Sequence, residues 1–565
     1  MKAEVLALTL GAALGALGCQ GQIREPLVPE SPGSVPRSGA PTAPRETPRP
    51  GPSSTPSPTP TTSPSPSPSP TAPVAAPSAL PSSGLRRLSR AEYAASVRAL
   101  LGPAAPVRVE LLPLDGSSPF DNDVADQAPS LAFVEATESL AHELGEWVVA
   151  DEARARPLAG CTPSGAGDEA CFRRFLRSFG AAALRRPLSD AEVERLRAVQ
   201  QYAIEDGSFW VGVRYAVAAL LMHPEFLHRV ELAGPRALTS PELATRLAYF
   251  LTGAPPEAWL RALDTLATDP AVLRSAAQRL LDSPAARRQL RRIHAMWLGY
   301  DRYADEALYG AMREQSGQLV ERTVFQDRDY LELYTTPDTW LDATLAAHYG
   351  EPTPTTAGWV RWSDPRRAGI IAHASVLSAS SNTNDTSPTR RGKFVRERIL
   401  CDVVPRPPPG VDVDNPPEGA PGACKSERYA DHRRVSQCAG CHALMDPIGF
   451  GLEELDQLGR ARTHDQGRPE CPIDGRGEVA GLGVFRGPAE LGELLESSGR
   501  VETCAAQRLT SYALGRALLP SEARDGAMIQ HLAQAFRASG RRLRPLLLTL
   551  VTSEAFRTRL DPEAP

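Results

Sequence analysis

Past its first residues the chain has no hydrophobic run long enough to cross a bilayer, so no transmembrane helix is expected. Nor is there a positive excess: 62 Lys and Arg stand against 67 Asp and Glu, a net charge of -5. That balance removes the electrostatic basis for nucleic-acid binding. Continuous period-two alternation is scarce, which argues against a large sheet. A Gly-rich phosphate loop, an H-E-x-x-H pair and a G-x-S-x-G elbow are all missing, and nothing before residue 400 assembles a catalytic constellation.

What the chain has in excess is proline, 54 residues unevenly spread. Residues 5–17 form an apolar stretch with the length of a signal-peptide core, ending in Ala16-Leu17-Gly18-Cys19. This resembles a bacterial lipobox, so residues 1–18 read as a lipoprotein signal peptide and Cys19 as the lipidated residue. Ala16 and Glu4 depart from the usual pattern, and plain secretion or a misplaced start are the alternatives. Residues 19–83 are Pro, Ser, Thr and Ala, with too few apolar side chains to offset the entropy of ordering, and read as a disordered tether.

Nine cysteines occur. With Cys19 given to lipid and the Cys438/Cys441 pair set aside, six remain, an even number that suits disulfides in an oxidising compartment. Cys161 and Cys171 flank a Gly-rich loop and are expected to pair; Cys401, Cys424, Cys471 and Cys504 cannot be paired from sequence.

Helix signals dominate the rest. Ser89 with Glu92, Ser189 with Glu192 and Thr239 with Glu242 have capping-box spacing, each followed by apolar residues at helical period. The expected fold class is mainly α, a multi-module helical body. The expected modules are 84–155, 156–345, 346–470 and 471–565, the third holding the Cys438 to His442 run described next. A weak echo links residues 220–226 with 550–556, where an apolar helix ends in an acid and Phe, and reads more readily as chance than as a repeat.

Cys438-Ala439-Gly440-Cys441-His442 has the form of a c-type haem attachment site. Two thiols add across the haem vinyl groups, and the adjacent His ligates iron from the proximal side. Two intervening residues hold the sulfurs about one helical turn apart, and small Ala439 and Gly440 suit a backbone lying against a porphyrin edge. A zinc site or a redox disulfide are the rivals, and export favours haem. One haem c is thus expected, on Cys438 and Cys441, with His442 as iron ligand, which makes the C-terminal segment of the helical body c-type cytochrome-like.

Met445 lies three residues after His442, on the same side of any haem, and reads as packing. Met528, His464, His432 and His373 are the distal candidates, beside an open site. Residues 446–453 read as a tight turn into a short helix ending near Gly459, with a Pro447 or Gly449 carbonyl as acceptor for the second His442 nitrogen. Arg460 and Arg462 read as solvated, or as partners for haem propionates, and the polar run 378–391 as a surface loop more readily than as the lining of a haem-side site.

The motifs Arg87-Leu88-Ser89-Arg90-Ala91-Glu92-Tyr93, Arg185-Arg186-Pro187-Leu188-Ser189, Met222-His223-Pro224-Glu225-Phe226, Thr386-Ser387-Pro388-Thr389-Arg390-Arg391-Gly392-Lys393 and Tyr512-Ala513-Leu514-Gly515-Arg516, with the haem segment, resemble a set of secreted cytochrome-like proteins of planctomycete and myxobacterial type. These are built from successive domains of unknown function. The resemblance spans nearly the whole chain after the tether and implies a secreted, cytochrome-like protein; it brings no reaction.

The expected function is single-haem electron transfer in the cell envelope, by an outer-membrane lipoprotein facing the periplasm or the surface. A haem-dependent oxidoreductase on an unspecified substrate, or a binding protein with a structural haem, are the alternatives. Its partners would be a redox protein and, through lipid alone, the membrane.

Overall fold

Each of the three capping boxes forms both of its hydrogen bonds: Ser89, Ser189 and Thr239 accept from the backbone three residues on, and Glu92, Glu192 and Glu242 reach back. The helices they open, Arg90–Leu101, Asp190–Arg197 and Ser240–Thr252, belong to a mainly helical body. A computed structural model describes residues 85–559 except 118, 128–129, 302–305, 406–422, 435 and 466. The expected signal peptide, Cys19 and the tether lie outside the described residues, and the described ones belong to one compact unit, 71–565.

Among the described residues no sheet exceeds two strands. Two of these ribbons close the body in the same way. Strand Arg86–Arg87 pairs antiparallel with His228–Arg229, and Arg236–Ala237 with Thr558–Arg559. In each case the opening strand runs into a capping-box helix, and the closing strand follows one turn of helix, Pro224–Leu227 or Glu554–Arg557. The amide of Leu88 donates to Leu227 O, and that of Leu238 to Arg557 O, both at 2.8 Å. A buried arginine caps each closure: Arg185 donates to Phe226 O at 3.3 Å and Arg246 to Phe556 O at 2.6 Å. The echo between residues 220–226 and 550–556, read from sequence as chance, is therefore one half of a device built twice.

Two main cores follow this division. One runs from Leu88 to Leu227 with Tyr249, packing helix Leu131–Val149 on Phe209–Leu221. The other gathers residues from Leu238 to Phe556, with Phe120. The expected module limits 155/156 and 345/346 fall inside helices Glu152–Ala159 and Ala343–Tyr349. No helix among the described residues is long and apolar enough to cross a membrane.

Candidate functional site

Cys438, Cys441 and His442 sit on helix Ser436–Phe450, which runs two turns past the motif. The turn expected at 446–453 is corrected: the helix passes through Pro447, and the chain turns only at 451–454. Pro447 removes the donor for the carbonyl of Ala443, four residues back, but Ala443 is exposed, where solvent can serve it.

Two elements pack on this helix. Pro388–Phe394 crosses it at backbone contact, because two glycines leave out their side chains. A Cβ on Gly392 would lie 1.8 Å from Met445 O, and one on Gly449 the same distance from Pro388 O. Met445 is buried under this crossing, 5 % exposed. The second element, Lys425–Arg434, lies alongside, with the Tyr429 ring 5.7 Å from that of Phe450.

The crossing sets the surroundings of His442. Its Nδ1 donates to the carboxylate of Asp446, at 3.0 and 3.1 Å from the two oxygens. The acceptor is thus a side-chain carboxylate one helical turn on, and not a carbonyl of Pro447 or Gly449 as expected. Thr389 Oγ1 donates to Asp446 Oδ1 at 2.7 Å. Asp446 is fully buried, while His442 keeps a fifth of its side chain exposed. With Nδ1 carrying the proton, Nε2 holds a lone pair for a ligand bond.

The six cysteines expected to form disulfides do so, as Cys161–Cys171, Cys401–Cys504 and Cys424–Cys471. Cys438 and Cys441 keep their thiols and are half-buried. Cys424–Cys471 ties the start of helix Lys425–Arg434 to strand Arg468–Pro472.

Behind the crossing, Glu453 is buried among Arg391 at 3.3 Å, Lys425 at 3.4 Å and Arg462 at 2.5 Å, and accepts from Thr386 Oγ1 at 2.6 Å. Lys425 also meets Asp385 at 2.8 Å. Arg391 further donates to the carbonyls of Leu452, Leu455 and Asp456, at 2.7 to 2.8 Å, and burial pulls its pKa down to about 10. Two expectations are corrected in part here. The run 378–391 is mixed: Thr383, Asn384 and Arg390 are exposed, as expected of a surface loop, while Ser380, Ser381, Thr386, Ser387, Pro388 and Arg391 are buried, and Asp385 and Arg391 pair across the fold. Arg462 points inward to Glu453, whereas Arg460 is exposed and pairs with Asp456 at 2.8 Å.

The distal candidates are scattered. His373 is fully buried between Ser316, 3.0 Å from Nδ1, and Thr339, 3.4 Å from Nε2; burial, with Arg367 adding to it, pushes its pKa down to about 3. Met528 lies within the larger core, and His464 is exposed beside Thr463. His432 is the one with a described contact to His442, ring centre to ring centre 4.4 Å. Among the described residues no three His, Cys, Asp or Glu side chains gather as a metal-holding group. Sequence reasoning missed Asp446 and Thr389. The D-P dipeptide read as a turn signal, although Asp at i+4 from His on a helix was the available clue.

Five family models, each described as a protein of unknown function, match the chain in series: DUF1587 over 86–150, DUF1595 over 171–231, DUF1592 over 238–350, DUF1588 over 367–465 and DUF1585 over 483–556. Neither a curated protein nor a solved structure matches it. The two cysteines, His442 and every side chain described around it fall within the DUF1588 segment. The chain belongs to the set of proteins that carry these five domains of unknown function one after another.

Proposed function

We propose that this is an exported lipoprotein carrying one covalently bound haem c, and that it transfers electrons in the cell envelope. The observation that carries the reading is the division of the cysteines. Six are consumed in disulfides, while Cys438 and Cys441, spaced for thioethers and followed by His442, keep their thiols. Adjacent thiols in a compartment that oxidises the six other described cysteines call for a second covalent use. A haem held by thioethers asks the protein for one strong nitrogen, and His442 offers it.

Cys438 and Cys441 would hold the group, and His442 Nε2 would ligate its iron. Bound there, it supplies a one-electron couple. Asp446 and Thr389 hold the imidazole in one tautomer. Gly392 and Gly449 let the ligand helix seat against Pro388–Phe394 at backbone distance. Export rests on residues 1–18 and lipid attachment on Cys19. An absorption spectrum of the protein matured with a c-type haem apparatus, oxidised and then reduced, tests the reading. Sharp reduced bands of a c-type haem are expected; protein that matures with zinc or without iron overturns it.

A further inference from the structure

We propose that Asp446, steadied by Thr389, is a positioning residue that lowers the reduction potential of the group held at Cys438 and Cys441. The inference rests on the haem reading above and deepens it. A histidine ligand whose second nitrogen donates to a neutral carbonyl keeps ordinary basicity. One that donates to a carboxylate is a stronger donor, because partial transfer of its proton places negative charge on the ring. Stronger donation favours the higher iron charge, so the ferric state is stabilised over the ferrous state formed from it by one electron.

Three observations make this strong here. The carboxylate is fully buried, so solvent does not dilute its field at the imidazole. Both oxygens lie within 3.1 Å of Nδ1. Among the described residues its hydrogen-bond partners are His442 and Thr389, and no Arg or Lys pairs with it. Arg391, Lys425 and Arg462 pair with Glu453, and Arg396, which donates to Leu444 O on the same helix, pairs with Asp402. Thr389 O–H tempers the effect by taking part of the charge at Oδ1.

The two residues therefore act in opposite directions, and the test uses both. Asp446→Asn keeps the shape and the acceptor but removes the charge; Thr389→Val removes the tempering donor. Potentials are read by absorbance during mediated redox titration of the full chain, beside a haem stain after denaturation. Asp446→Asn is expected to move the ferrous-to-ferric ratio at a fixed ambient potential at least tenfold toward ferrous, about 59 mV upward for a one-electron couple. Thr389→Val is expected to move it about threefold the other way. A smaller or downward shift in Asp446→Asn overturns the proposal, and so do shifts of both variants in one direction, which mark loosened packing. If Asp446→Asn does not fold, an unchanged potential in Thr389→Val overturns it alone. The stain keeps the two failures apart: wild-type protein that loses its haem on denaturation sinks the haem reading, whereas retained haem with an unmoved potential sinks only the role of Asp446.

Discussion

His442 and Met445 lie on one helix, one turn apart, and do different work. His442 presents a partly exposed imidazole anchored by a carboxylate, whereas Met445 is buried where two helix backbones touch. Under the proposed haem attachment, His442→Ala would remove the iron's strong nitrogen while leaving both thioether cysteines in place, and the oxidised spectrum is expected to shift toward high spin. Met445→Ala is expected to leave the spectrum near wild type and to cost about 2–5 kcal/mol of stability, seen as an earlier urea midpoint. A low-spin spectrum abolished in folded Met445→Ala would show that the sulfur is a ligand. The C-x-x-C-H run was legible because its chemistry is local. The Asp446–Thr389 pair was not, because its members stand 57 residues apart and only the helix crossing joins them.

That crossing is the element on which the site depends. Alanine at Gly392 or Gly449 would drive a methyl into a backbone oxygen that cannot move without parting the helices. Overpacking of this kind costs about 1–3 kcal/mol or more. Each variant is expected to melt earlier and to take up less haem during maturation. Normal melting and full haem content would show that the helices do not need to touch. The Glu453 cluster holds the same elements electrostatically, and Glu453→Gln would remove the carboxylate that pairs with Arg391, Lys425 and Arg462, leaving Asp385 on Lys425 alone among the described ion pairs. Breaking a buried ion cluster in this way costs about 3–5 kcal/mol, to be read by thermal denaturation. Helix starts were legible at the capping boxes, where the signal is carried within four residues. The inward packing of Asp385, Thr386 and Arg391 was not, since a polar run looks like a surface loop throughout until its partners at 425, 453 and 462 are brought to it.

Across the whole molecule, two ribbon-closed cores share one chain, and the Cys401–Cys504 disulfide joins the chain just past Pro388–Phe394 to the C-terminal helix Val501–Leu514 over 103 residues. Replacing both cysteines with Ala is expected to cost about 2–5 kcal/mol, through the larger unfolded ensemble. Acid should weaken the body as well. Burial holds His294 and His373 neutral, lowering their pKa values from 6.5 to about 4 and about 3. The unfolded chain takes up those protons near pH 6.5 and the folded chain does not, so stability falls as pH drops from about 6.5 toward 4 and 3. Urea titrations at several pH values should show this slope, and a His294→Gln/His373→Gln variant should flatten it. The twofold closure was half legible, because residues 220–226 and 550–556 echo one another in sequence, while the strand pairing that gives the echo meaning spans 86 to 229 and 236 to 559.

The covalent haem is the claim on which the rest depends, and its most direct test is chemical. Full-length protein produced with a c-type haem maturation system is denatured, extracted with acidified organic solvent and stained for haem on a gel, beside Cys438→Ala/Cys441→Ala. Thioether bonds do not depend on the fold, so the expected result is haem that stays with the wild-type polypeptide and is absent from the double variant. Haem extracted from the wild type, haem retained by the double variant, or zinc in place of iron would contradict it.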